Sequence, residues 1–342
     1  MNSRERVKKA IHFGSPDRPP ISHAILPSAI LHYGQVLQEI LANVSEDFGW
    51  SCVPDLEPEN YPPYYKKGGG TDAYGVLWEC EIDGEYGMPV SLPLEDWSAY
   101  PAYRWPVFDI KPPTRRLYSG HMCHPPGTIC EDYYSRGGWI QLFELMQQLR
   151  GFENVLMDLA GDAPEVYRLR DDLLNLQLDT IRQFAALRYD GLHFADDWGS
   201  QRNLLIQPAL WRKFFKPAYK TMFDAVHAAG MDVFFHSDGV IIDIIPDLIE
   251  VGVDVLNAQV NIMDMDHLRR EFNGHLCFRT DLDRQNVTLL GTPDDVRKHI
   301  RHVFETLGSD KGGIIACGEI GRDTPLDNIK AMYETFMSFR FQ

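Results

Sequence analysis

The sequence predicts an α/β protein folded as a (β/α)8 (TIM) barrel, in one domain over residues 1–342 with an elaborated N-terminal portion. Its 342 residues lie within the range that one barrel with insertions fills. Short apolar runs alternate with helix-period segments through the C-terminal half, the pattern of parallel strands joined by crossovers. Polar residues recur at the C-terminal end of each run, where the cavity of a barrel gathers its functional groups.

The expected strands are GLHFAD (191–196), MDVFFH (231–236), VDVLNA (253–258), HLCFR (275–279) and GGIIAC (312–317). Their length and apolar continuity suit strands buried on both faces. Between them, residues 208–230 read as a helix opened by Pro208 and ended by Gly230. IIDIIPDLIEVG, MDHLRREF, TPDDVRKHIRHVFETLG and TPLDNIKAMYETFM supply further helical segments. No GxGxxG follows an early strand, so a dinucleotide-binding sheet has no support. Residues 50–136 are rich in Tyr, Trp, Pro and Gly, and WECEIDGEYGMPVSLPLEDW reads as a hairpin insertion.

Lys and Arg number 33 against 49 Asp and Glu, a formal charge of −16. That balance repels phosphate backbones and anionic membranes, and excludes nucleic acid as an expected partner. No stretch has the length of a membrane span, and MNSRERVKKAIHFG lacks the apolar core of a signal peptide, so the expected location is cytoplasmic. The six cysteines at 52, 80, 123, 130, 277 and 317 show no CxxC spacing and read as mostly free thiols.

Candidate site residues come from the strand ends: His193, Asp196 and Asp197; His236 and Asp238; Asn257 and Gln259; Arg279, Asp281 and Asp283; Cys317 and Glu319. His236 and Asp238 are two apart on an extended segment, so they share a face. Cys317, at the end of a distant strand, completes a possible three-ligand zinc set with one position open. The structural alternative is that His236 and Asp238 cap the next helix and Cys317 is a small buried hydrophobe. Of the Asp196–Asp197 pair, one carboxylate enters the cavity and the other caps a turn. Asp196, with His193 and Glu319, is the expected catalytic set, and Arg279, Asn257 and Asp281 are the expected substrate contacts. His121, Cys123 and His124 form a local HMCH cluster that reads as loop, and HLCFR places Cys277 in mid-strand as packing. Tyr64, Tyr65, Trp78 and Trp105 read as cavity wall or as core.

Several segments together resemble one family. RERVKKAIHFGSPDRPP is similar to the opening helix and Asp-Arg-x-Pro turn of uroporphyrinogen decarboxylase-like proteins, in particular the branch containing corrinoid-dependent methyltransferases. Further matches are DAYGVLWE (72–79), LRGFENVLMDL (149–159), GLHFADDWGSQ (191–201), residues 214–239, IPDLIEVGVDVLN (245–257), LDRQNVTLLGTPDDV (282–296) and GGIIACGEI (312–320). The resemblance implies a (β/α)8 barrel. It also implies a zinc site at His236, at Asp238 where the branch usually has Cys, and at Cys317.

True uroporphyrinogen decarboxylases carry arginines after the first strand to hold a many-carboxylate substrate. ISHAILPSAILHYG (21–34) has none, and no arginine lies between Arg18 and Arg104. The resemblance therefore implies an O-demethylase-type methyltransferase, zinc-assisted, passing a methyl group from a small methoxylated or methylated donor to the cobalt of a corrinoid on a partner protein. The alternatives are a lyase acting on a smaller carboxylate and a ligand-binding barrel without chemistry.

Overall fold

The computed structural model describes residues 1–49, 61–111 and 132–341. Its central element is a six-stranded parallel sheet of β5 (Arg136–Ile140), β6 (Gly191–Ala195), β7 (Asp232–Ser237), β8 (Val255–Ala258), β9 (Cys277–Arg279) and β10 (Ile314–Ile315), neighbours in that order. A second pair, β1 (Ala24–Ile25) with β11 (Glu319–Ile320), is also parallel. Backbone hydrogen bonds carry the ring past the sheet's two ends. Ala316 N–H donates to the Pro20 carbonyl and Ser22 N–H to that of Ala316, at 2.7 and 2.9 Å. Asp47 N–H then reaches Ile21 and Tyr134 N–H reaches Asp47, at 2.9 and 3.1 Å, which leads back to β5.

Residues of the N-terminal helix Ser3–Ile11 and the Asp-Arg-Pro-Pro turn pin this closure. Arg6 bonds both Asp17 and Asp47, and Arg18 bonds Asp47, whose carboxylate also accepts the Ile21 N–H. Asp47 is fully buried, so the surrounding guanidinium groups replace the water it has lost. The long helix Pro164–Ala186 packs against the helix Lys216–Ala228, and strand side chains such as Val233, Phe235, Leu256 and Phe278 are buried between sheet and helices.

The expected strands of the C-terminal half are present, but β5 was not legible in the sequence. It contains Gly137 and Gly138, the latter at φ +80°, and only Trp139 and Ile140 of its Arg-Gly-Gly-Trp-Ile give an apolar signal. The helix expected over 208–230 is two helices, Pro208–Phe214 and Lys216–Ala228. Pro217 lacks the N–H that would continue the first one, so the chain breaks beside Phe215. The expected hairpin is part of a three-stranded antiparallel sheet, β2 (Gly70–Thr71), β3 (Leu77–Glu79) and β4 (Met88–Ser91). The HMCH cluster, with Cys52 and Cys130, lies outside the described residues. Among the described residues no helix is long and apolar enough to cross a membrane.

Candidate active site

A cavity of about 840 Å³ opens at the C-terminal ends of the parallel strands. Its floor carries His193, Asp197, His236, Asp238, Asn257, Arg279, Asp281, Arg284, Cys317 and Glu319. The wall is aromatic: Tyr64, Tyr65, Tyr74 and Tyr86 from the N-terminal insertion, Phe108 beyond it, and Trp139 from β5. Trp78, read as wall or core, is 2 % exposed and belongs to the core, where its indole N–H donates to Asp72. Trp105 packs against Tyr103 and does not line the cavity.

β6 and β7 pair with Ala195 opposite His236, so two residues further on Asp197 stands opposite Asp238. The Asp238 N–H donates to Asp197 Oδ1 at 2.7 Å. His236 Nε2 lies 3.6 Å from Asp197 Oδ1 and 3.7 Å from Asp238 Oδ1. The ring is oriented by Asn257, whose Oδ1 lies 2.8 Å from His236 Nδ1 and also accepts from Arg279. Because Asn257 Nδ2 donates to the Arg279 carbonyl, its Oδ1 must face the imidazole. His236 therefore donates through Nδ1, and Nε2 is left facing the carboxylates. Burial disfavours a charged His236, but Asp197, Asp238 and Asn257 outweigh it and hold the imidazole pKa above its ordinary value.

Asp197, His236 and Asp238 offer ligand atoms within 4.8 Å of one another, one nitrogen and two carboxylate oxygens. Asp238 Oδ1 is buried and has no hydrogen-bond partner among the described residues, as expected of an oxygen directed at a cation. The donor set fits zinc and equally a harder divalent ion. Cys317, expected as the third donor, is not in this group. It follows β10, which β8 and β9 separate from β7, whereas Asp197 comes from the adjacent strand. Burial pushes the Cys317 thiol up from its ordinary pKa, which keeps it neutral in the cavity wall.

The expected catalytic set divides. His193 lines the cavity, stacked on Trp139 with ring centroids 4.9 Å apart. Asp196 does not line it. Being one residue from Asp197 on an extended segment, it points to the opposite face. There its carboxylate accepts the N–H groups of Leu142 and Glu144 and the hydroxyl of Tyr219, at 2.7 to 3.1 Å. The helix Phe143–Arg150 has no cap of its own, so Asp196 caps it from another strand. Burial pushes Asp196 up to about 7 despite those bonds.

Glu319 lines the cavity in an ion pair with Arg284 at 2.7 Å, and Arg284 also bonds Asp238 Oδ2. Of the expected substrate contacts, Asn257, Arg279 and Asp281 all line the cavity. Asn257 and Arg279 are bonded to each other, and Arg279 also reaches Ser22 and the His23 carbonyl. Asp283 instead turns away, accepting from Gln285 and Asn286. Gln259 holds the Gly239 N–H.

Arg284, Trp139 and Glu144 were not singled out from the sequence. Arg284 falls in RTDLDRQ, where no spacing separates it from Asp283 as the residue that faces inward. Trp139 and Glu144 flank the unrecognised turn after β5. Burial, with the charges of Asp197 and Asp196, raises Glu144 to about 8.

Fold and site thus define a parallel α/β barrel with a ligand-sized cavity and a candidate metal centre at its strand ends. The chain belongs to the uroporphyrinogen decarboxylase (URO-D) family, whose model matches residues 137–339. A uroporphyrinogen decarboxylase from Thermus thermophilus is 25 % identical over 191 residues, which are 54 % of this chain and 52 % of that protein. The match therefore spans about half the relative's length. A methyltransferase from Methanosarcina mazei has the same fold, with a TM-score of 0.67 at 14 % identity and 98 % coverage of both chains.

Proposed function

We propose that the protein is a methyltransferase that takes a methyl group from a small methoxylated or methylated compound and passes it to the cobalt of a corrinoid carried by a partner protein. The observation that carries this reading is the Asp197, His236 and Asp238 donor set on the floor of an aromatic-walled cavity. The segment matches to the corrinoid-dependent branch and the fold shared with a methyltransferase support it.

Asp197, His236 and Asp238 would hold a divalent ion, zinc in the first instance, which would supply Lewis-acid polarisation of a donor oxygen. The chain's own groups do the remaining work. Asn257 fixes the tautomer and direction of His236, and Arg284 leaves Asp238 one oxygen to offer. Tyr64, Tyr86 and Trp139 present flat apolar faces that hold a methoxylated ring and keep water from the reacting oxygen. Elemental analysis of the purified protein tests the metal. Formation of methylcobalamin from chemically reduced cobalamin and methoxylated donors tests the transfer. A metal-free protein that still transfers methyl groups overturns the metal's role, and no transfer from any donor overturns the reaction.

The family match gives a second reading, decarboxylation. Its difficulty is charge: Asp72, Glu144, Asp197, Asp238, Asp281 and Glu319 line the cavity, while Arg279 and Arg284 are both already bonded within the protein. A many-carboxylate porphyrinogen would lose its hydration there without cationic partners. Uroporphyrinogen turnover at ordinary enzyme rates would favour the second reading.

A further inference from the structure

Breaking a carbon–oxygen bond in a methyl donor leaves a basic oxygen, and a proton supplied as the bond breaks lowers that barrier. The acids first considered are otherwise engaged: Asp196 caps a helix away from the cavity, and Glu319 is ion-paired with Arg284. Asp197 accepts from the Asp238 backbone, and Asp238 is bonded to Arg284. Asp281 differs from all of these. It follows β9, lines the cavity, and is only 6 % exposed. Among the described residues no hydrogen bond or ion pair reaches its carboxyl group. A buried carboxylate without a partner is costly, whereas a carboxylic acid in that place is not.

We propose that Asp281 is the acid that hands a proton to the donor's oxygen as the methyl group leaves, an inference that rests on the methyl-transfer reading above. The donor's C–O bond breaks with its electron pair going to oxygen, which takes the Asp281 proton and departs as an alcohol or phenol. The methyl carbon bonds to cobalt(I) of the corrinoid acceptor, which supplies the electron pair and becomes formally cobalt(III). Asp281 regains its proton from solvent. Its electrostatic setting agrees. Burial is the largest influence on the Asp281 carboxyl and disfavours its charged form. Glu144 is the other cavity carboxyl held high by burial, but it is only half-buried, and the Asp197 backbone and the Gln147 amide favour its ionised form.

The test compares Asp281→Asn with the wild type on two donors, anisole and 4-nitroanisole, with cobalamin reduced to cobalt(I) as acceptor. Phenoxide needs the proton and nitrophenoxide needs it far less. Asp281→Asn is expected to lower kcat on anisole by about 10²-fold or more and to leave 4-nitroanisole within a few-fold. Glu144→Gln is expected to show no such split between donors. Equal losses on both donors, or none on either, would overturn the proposal. A second readout is independent of turnover: at pH ~6 the protonated-carboxyl infrared absorption, to which Glu144 and Asp196 also contribute, is expected to be weaker in Asp281→Asn than in the wild type by the share of one carboxyl. If the wild type uses neither donor, the methyl-transfer reading on these ethers fails and the band decides about Asp281. An unchanged band in Asp281→Asn then overturns its proton-holding role. Unchanged metal content and near-ultraviolet circular dichroism establish that the variant is folded.

Discussion

The backbone N–H of Asp238 donates to Asp197 Oδ1 at 2.7 Å, joining the ends of two adjacent parallel strands across the floor of the cavity. Through that bond the position of one candidate metal ligand depends on the other, and His236 Nε2 faces both. Removing either carboxylate should therefore disturb more than its own oxygen.

If these residues hold the ion, His236→Ala and Asp197→Asn should each weaken it by roughly 100-fold or more, since even loss of an outer-shell partner costs about 10–100-fold. Asn257→Leu should fall within that outer-shell range. Cys317→Ser should change affinity less than threefold. Competition titration with a chromophoric chelator measures all of them, and a Cys317→Ser loss as large as that of Asp197→Asn would restore the thiolate as a ligand.

Asp196→Ala should act on stability. It strips a cap and leaves the Leu142 and Glu144 N–H groups and the Tyr219 hydroxyl without their acceptor. The expected loss is roughly 3 kcal/mol, from about 1–3 kcal/mol for each buried donor left unpaired less some relaxation. Urea denaturation of the metal-free protein reads it directly.

Gly239 follows Asp238 at φ +81°, and a Cβ there would lie 2.1 Å from the Gly199 carbonyl carbon. Gly239→Ala should displace the loop, lower metal affinity with it, and destabilise by more than the about 1–2 kcal/mol expected of the left-handed conformation alone. Gly230→Ala is the control, at φ +74° with nothing within 4 Å. It should cost only the conformational part and leave metal affinity unchanged.

Glu144 bears on the pH dependence of stability. Its folded pKa of about 8 lies above the ordinary value of 4.5, so between those two values the folded state holds a proton that the unfolded chain has released. Stability from this group is complete at low pH and is lost as pH rises toward 8, by up to about 1.4 kcal/mol per pH unit. Glu144→Gln should flatten the slope of unfolding free energy between about pH 5 and 8 in the metal-free protein. An unaltered slope would place the carboxyl in a more polar setting than the cavity wall.

The strand and helix alternation was readable from residue 191 onward because strands buried on both faces are continuous apolar runs, and GLHFAD and MDVFFH announce themselves as such. Their polar ends marked the floor of the cavity for the same reason: His193, His236, Asp238, Asn257, Arg279, Asp281, Cys317 and Glu319 all line it. The choice within Asp196–Asp197 lay beyond a one-dimensional pattern. Neighbours on an extended segment point to opposite faces, and which face is the cavity depends on how β6 registers against β7. The third member of the metal group depended likewise on strand order around the barrel, which brings Asp197 beside His236 and keeps Cys317 apart. Sequence determined which residues end the strands, since burial of the strand interior is a local demand on composition. Tertiary structure decided which of those residues meet, since register and closure are set by long-range hydrogen bonds such as Asp47 to Ile21 and Tyr134 to Asp47.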